Sequence, residues 1–252
     1  MNFPPMIGRR CRAVKQNADE PFAAEPEPLE GIADIGYSLR MSGAPRDRAL
    51  LLVDVQNDFC PAGSLAVERG DEVVAVINRI SPAFTRVVAT QDWHPRDHLS
   101  FASNHPGRRP LETIEVNGIE QVLWPDHCLQ GTPGAELHPQ LDSRGIGLIL
   151  RKGMRSGLDS YSAFFENDRS TRTGLAEYLR GLGIEELVIC GLATDYCVLA
   201  SAMDARGVGF GVTLVRDACR GVDHPAGSVG RALAAMEKAG VRVVESSAVP
   251  LS

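Results

Sequence analysis

ELVICGLATDYCVLASAMDARG, residues 186–207, changes its hydrophobic rhythm halfway along. ELVICGLA is a short apolar run of the kind expected for a strand buried on both faces. A polar turn, Thr194-Asp195-Tyr196, follows. Beyond it apolar residues recur at helical spacing up to Gly207, a residue suited to ending a helix. A buried strand that feeds directly into a helix is the building unit of a parallel sheet with helices packed on it.

The same alternation extends in both directions. ALLLVDVQ (Ala49 to Gln56) and RVVATQDW (Arg86 to Trp93) read as buried strands, with DEVVAVINRISPAF between them at helical spacing. GLILRKG, GVTLVRDA and VRVVESS supply further strands, and GLAEYLRGLG and AGSVGRALAAMEKAG supply the later helices. The expected fold class is α/β, a three-layer α/β/α arrangement around a mostly parallel sheet of about six strands. It occupies one domain, residues 49–252. The stretch from Leu99 to Gln140, rich in Pro, Gly and His, reads as an elaborated loop that carries function. Residues 1–48, with PFAAEPEPLEG at their centre, read as a flexible extension. Its Arg9-Arg10 pair is followed by no apolar segment, so a twin-arginine signal is not expected. Met41 is an alternative translation start, which the intact mass of the native protein would decide.

Composition narrows the functional classes. The chain has 252 residues, 44% hydrophobic and 23% charged, enough to bury a sizeable core. A net charge of -6 gives no basic footprint for nucleic acid. No apolar stretch approaches the ~20 residues that cross a bilayer, so no membrane partner and a cytoplasmic location are expected. Six cysteines occur without CxxC pairs, against both a disulfide scaffold and a zinc ribbon. Self-association is left open.

Asp54, Asp92, Lys152 and the turn before Cys197 all fall at or just past the carboxyl ends of expected strands, where open α/β sheets bind ligands. Asp54 interrupts an apolar strand, and a buried carboxylate there needs a partner. Lys152 alone could equally be a snorkelling strand-terminal lysine. Cys197 sits in the first turn of a helix that Thr194 or Asp195 can cap. Unsatisfied backbone N–H groups and the helix dipole there favour thiolate. Lone cysteines at helix starts are commonly inert, but an acidic and a basic residue at the same edge favour chemistry. Cys197 then reads as nucleophile, Asp54 as the base and Lys152 as the cation that holds their charge states.

The histidines cluster elsewhere. Asp92, His94, His98 and His127 make a three-imidazole, one-carboxylate set suited to Zn, Fe or Mn, although loop histidines are also common on surfaces. His105 reads as solvated and Cys128 as packing, with a fifth-ligand role as its alternative. His138 and His224 carry no supporting pattern. Phe59, Trp124 and Tyr161 read either as ordinary core or as walls for a flat ring.

DVQNDF (Asp54 to Phe59), DWHPRDHLSFASNHPG, LWPDHC, KGMRSGLDSYSAFF and GLATDYCV resemble the signature segments of nicotinamidases, also called pyrazinamidases, within the isochorismatase-like cysteine hydrolases. They lie in the family's order over about four-fifths of the chain. The resemblance implies hydrolysis of nicotinamide to nicotinate and ammonia in NAD salvage, with pyrazinamide as a second substrate. Carried over by position, it implies a triad of Asp54, Lys152 and Cys197 and metal ligands Asp92, His94, His98 and His127. The implied cofactor is one divalent ion, zinc before iron or manganese, that binds the substrate's ring nitrogen. Also implied are an oxyanion hole from the N–H groups of Ala193 and Cys197, a cis peptide beside Ala193, and ring-holding by Phe59, Trp124 and Tyr161.

Three competing readings stand beside it. One is a metal-free amidase of the same superfamily that acts on a carbamoyl or ureido substrate, against which the histidines argue. Another is a non-enzymatic nucleotide-binding module, but no GxGxxG follows the first strand and no GxxxxGK[ST] occurs. The last is a catalytically silent metal-binding relative, which ammonia release would exclude.

Overall fold

The computed structural model describes residues 48–249. The Met41 alternative, the Arg9-Arg10 pair and the expected extension up to residue 47 lie outside them. Arg48 is already the first residue of strand β1 (Arg48–Val53).

The other strands of the main sheet are β2 (Val87–Asp92), β5 (Ile146–Lys152), β6 (Glu186–Leu192), β7 (Gly211–Arg220) and β8 (Arg242–Val244). Their spatial order is β5-β2-β1-β6-β7-β8. Every neighbouring pair is parallel. The six expected strands are therefore all present, and the sheet is wholly parallel. Central β1 and β6 are buried almost throughout, which explains their unbroken apolar runs. Burying one such Leu, Ile or Val side chain is worth about 1.5–3 kcal/mol. β5 lies at an edge, and its residues alternate between partly buried and exposed before the buried Lys152.

Helices α1 (Glu72–Ile80), α2 (Leu175–Gly181), α3 (Leu199–Gly207) and α4 (Ser228–Lys238) flank the sheet. From β1 the chain winds outward through β2 to β5. It then returns to the far side of β1 and continues outward through β6, β7 and β8. The reversal between β1 and β6 is a topological switch point, the place where parallel sheets open a crevice at their carboxyl ends. There Val53 pairs with Gly191, while one strand further on Asp92 pairs with Lys152. At Gly191 φ is 122°, and a Cβ would lie 2.1 Å from the Val53 carbonyl oxygen, so only glycine permits this approach.

Two details depart from the expected layout. The Leu99–Gln140 stretch is not all loop, since β3 (Thr113–Val116) and β4 (Ile119–Val122) form an antiparallel hairpin within it. Its two-residue turn, Asn117-Gly118, has positive φ at both positions, as such turns require. The helix expected beyond the Thr194-Asp195-Tyr196 turn already starts within it, as a π-helical turn, Thr194–Val198, before α3 continues it. A wide turn of this kind often marks a functional position.

Candidate active site

Asp54 follows β1 directly. It is fully buried and has φ 49°, a left-handed conformation uncommon outside glycine. Thr90 braces it: the hydroxyl donates to Asp54 Oδ1 at 2.6 Å and accepts from Asp54 N at 3.1 Å. Gln56 ties β1 to β2 by accepting from Asp92 N and donating to Asp92 O, both at 2.8 Å. The end of β1 is thus fixed to the end of β2.

Lys152 closes the group. Its Nζ lies 2.9 Å from Asp54 Oδ2 and 2.5 Å from Asp92 Oδ1, donates to the Ser160 carbonyl at 3.0 Å and lies 3.4 Å from Cys197 Sγ. Although Asp54 Oδ2 is close to the ammonium, it accepts no directed hydrogen bond among the described residues. That oxygen is available for a proton. Burial alone would lower Lys152, but Asp54 and Asp92 outweigh it and hold the ammonium well above its ordinary pKa. Burial raises Asp54 to about 6 against the pull of Lys152. Asp92 is shifted the other way: burial opposes its charge, but Lys152 and then His94 keep it below the usual carboxylate range.

Cys197 lies in the π-turn after β6, in contact with Lys152 but almost closed to solvent. Burial pushes its thiol well up, with Lys152 opposing. The thiolate expected from helix-start position alone left out this burial, which works against the charged form while Lys152 favours it. The expected capping is corrected. Neither Thr194 nor Asp195 caps this helix. Asp195 reaches sideways instead, accepting from Val222 N at 3.0 Å, Asp223 N at 2.9 Å and Ser228 Oγ. It anchors the turn to the start of α4. The Leu192–Ala193 peptide is cis, as the resemblance implied.

A pocket opens over the sulfur, lined by Phe59, Trp124, Tyr161 and Tyr196 around Ala193 and Cys197. Trp124 Nε1 donates to Tyr161 Oη at 3.1 Å, and Tyr196 packs edge-on against Trp124 with ring centres 4.8 Å apart. Asp92 and His127 border the same space, so carboxylate, imidazole and thiol all face one cavity.

Asp92, His94 and His127 offer ligand atoms within 4.8 Å of one another. His94 Nδ1 is bound to the Gly153 carbonyl and His127 Nδ1 to the Pro125 carbonyl, both at 2.8 Å. Those bonds leave each Nε2 for an ion, the usual arrangement of metal-binding histidines. Burial lowers His127 to about 4, so its imidazole is neutral near pH 7, the form that ligates metal. At Gly153, with φ 62°, a Cβ would come within 2.3 Å of the His94 ring. Glycine there makes room for that imidazole. His98 does not join this group. It packs on His94, ring centres 4.1 Å apart, and shares a separate group with His94 and Asp159.

The remaining histidines and Cys128 stay outside. His105 is half-buried rather than solvated, with Nε2 bound to the Leu99 carbonyl at 2.6 Å. Cys128 belongs to neither group and is packed, its N–H donated to Asp58 Oδ2 at 2.7 Å. His138 and His224 belong to no ligand group among the described residues. Sequence reasoning missed Thr90, Gln56, Tyr196, Ser160 and Asp159. Thr90 and Gln56 carried a visible signal, as polar residues in or beside buried strands.

Comparison with known proteins identifies the family. The isochorismatase domain family matches residues 48–248. The chain is 49% identical over 208 residues to a nicotinamidase of Acinetobacter baylyi, covering 82% of this chain and 96% of that protein. It also resembles the solved nicotinamidase/pyrazinamidase of Acinetobacter baumanii, with TM-score 0.80 and 48% identity over 82% of this chain and 99% of the other. The pyrazinamidase of Pyrococcus horikoshii in complex with zinc matches with TM-score 0.65 and 37% identity, over 79% and 99% of the two chains.

Proposed function

Because the chain belongs to the isochorismatase domain family, and in view of its site, we propose that it is a cysteine amidase that hydrolyses nicotinamide, and pyrazinamide by the same route. The products are nicotinate and ammonia, which places the reaction in the salvage of NAD. The observation that carries this reading is Lys152 Nζ, set among Asp54 Oδ2, Asp92 Oδ1 and Cys197 Sγ beneath an aromatic pocket. Its catalytic domain comprises the expected residues 49–252 extended by one to Arg48, the first residue of β1. The five described cysteines are free thiols, and no helix among the described residues is long and apolar enough to cross a membrane. Both fit a cytoplasmic enzyme.

In the first half-reaction Cys197 gives its proton to Asp54 as Sγ bonds to the carboxamide carbon. The charge that develops on the substrate oxygen is met by the Ala193 and Cys197 N–H groups. The carbon–nitrogen bond then breaks, and Asp54 passes the proton to the leaving nitrogen, so ammonia departs and a thioester remains. In the second half Asp54 takes a proton from water as its oxygen attacks the thioester carbon. Sγ leaves, regains that proton and releases the acid. Lys152 stays charged throughout and offsets the negative charge passed between Asp54 and the sulfur.

Phe59, Trp124, Tyr161 and Tyr196 hold the ring so that the carboxamide meets the sulfur. Asp92, His94 and His127 would hold a divalent ion, as supported by their mutual distances and by the tied Nδ1 atoms of both imidazoles. When bound, such an ion supplies a Lewis-acidic anchor for the ring nitrogen. Zinc, iron and manganese all accept two imidazoles and a carboxylate, and the zinc complex of the Pyrococcus horikoshii relative favours zinc.

Ammonia release measured on nicotinamide, with and without a chelator, tests the reading. Release that chelation suppresses and added zinc restores is the expected result. No release from nicotinamide, alongside release from a carbamoyl or ureido substrate, would overturn it.

A further inference from the structure

His98 is completely buried, and its two ring nitrogens are treated differently. Nδ1 is bound to Ser100 Oγ at 2.7 Å, whereas Nε2 has no hydrogen-bond partner among the described residues. A buried polar atom left unmatched is costly and calls for an explanation. Across from it, at 3.9 Å, is Asp159 Oδ1. That separation is too long for a hydrogen bond. It is close to the spacing of two donors on one ion, since atoms each about 2.1 Å from zinc at tetrahedral angles stand about 3.4 Å apart.

Asp159 is braced as a ligand would be. Its Oδ1 accepts from Ser160 N and its Oδ2 from Gln121 Nε2, both at 2.8 Å. Gln121 is fixed in turn by donating to the Val122 carbonyl at 2.8 Å. Two of the four lone-pair positions of the carboxylate are thereby used, and the rest remain for another partner. Asp159 is buried, and no lysine or arginine pairs with it among the described residues. A divalent cation set between the carboxylate and the unmatched imidazole would complete both.

His94 joins the pair. A ring nitrogen of His94, His98 and an oxygen of Asp159 lie within 4.8 Å of one another, just as His94 does with Asp92 and His127. Because His94 Nδ1 is committed to Gly153, only Nε2 is available to either group. One lone pair holds one ion at a time. We propose that the metal centre has a second seat for a divalent cation, formed by His94, His98 and Asp159, which shares His94 with the Asp92–His94–His127 seat and is filled in alternation with it. This extends the metal reading given above and rests on it.

Cobalt binding to the metal-free full-length protein tests the proposal without measuring turnover. Stoichiometry comes from equilibrium dialysis and ligand environment from visible absorption. The wild type is expected to take one cobalt per chain. His127→Gln should still take one, with an altered spectrum, and adding Asp159→Asn should weaken binding at least tenfold further. If Asp159→Asn lowers the melting temperature of the metal-free protein, His98→Gln takes its place in the same background. Equal affinity in the single and double variants, no cobalt on His127→Gln, or two cobalt ions on the wild type would each overturn the shared second seat. A wild type that binds no cobalt would instead sink the metal centre itself.

Discussion

Thr90 grips Asp54 from two directions, through the 2.6 Å bond to its carboxylate and the 3.1 Å bond from its backbone N–H. The pair secures a residue held in a left-handed conformation, where the surrounding structure must over-determine the backbone. It also leaves Oδ2 to face Lys152. The hydroxyl bond stabilises the charged carboxylate and so restrains the upward pull of burial.

Thr90→Val should therefore move the acid limb of kcat/KM to higher pH as well as lower its plateau. An unmatched buried oxygen costs about 1–3 kcal/mol, so the melting temperature should fall while the fold persists. A pH profile of the variant superimposable on the wild type would contradict the assigned role.

The wild-type profile has its own signature. Asp54 must be unprotonated to accept the thiol proton, and burial raises it to about 6, so kcat/KM should decline as pH falls through about 6. An ordinary aspartate would place that limb near pH ~4. Rates measured from pH 4.5 to 8 in constant ionic strength distinguish the two.

Cys197→Ala should lower kcat by roughly 10⁴-fold or more, the scale seen when a covalent nucleophile is removed. Nicotinamide binding, followed by calorimetry, should survive because the ring is held by other residues. Substantial turnover in this variant would refute the thioester route.

Gly153→Ala forces a methyl group into the His94 imidazole. Metal affinity should drop by about 10- to 100-fold, the usual consequence of disturbing a group that orients a metal ligand. The measurement is zinc retention against a competing chelator, and unchanged retention would argue that His94 does not ligate.

The strand framework was readable because parallel strands are covered on both faces, so β1 and β6 appear as apolar runs with no ambiguity of period. The β3–β4 hairpin was equally written in the chain, as Asn117-Gly118 between alternating residues, but the surrounding Pro and Gly drew the whole stretch into a loop reading. The π-turn at Thr194–Val198 left no such mark, since five residues are too few to separate its period from that of α3. Asp54, Lys152 and Cys197 could be placed at one edge because strand ends are legible and the sheet aligns them. His98 could not be placed so well. Four residues from His94 in an irregular segment, its direction depends on long-range packing, and the structure turns it toward Asp159 rather than Asp92 and His127. The burial of Cys197 was likewise hidden, because desolvation is a property of the packed site and not of a helix start.

The pairing of Val53 with Gly191 and of Asp92 with Lys152 makes the backbone ladder itself the ruler of the site. Side chains on the outer helices can drift through evolution without altering that ruler. One residue inserted within Arg48–Val53 would swing Asp54 to the opposite side of the sheet and silence the centre at a stroke, even if every reactive group were retained.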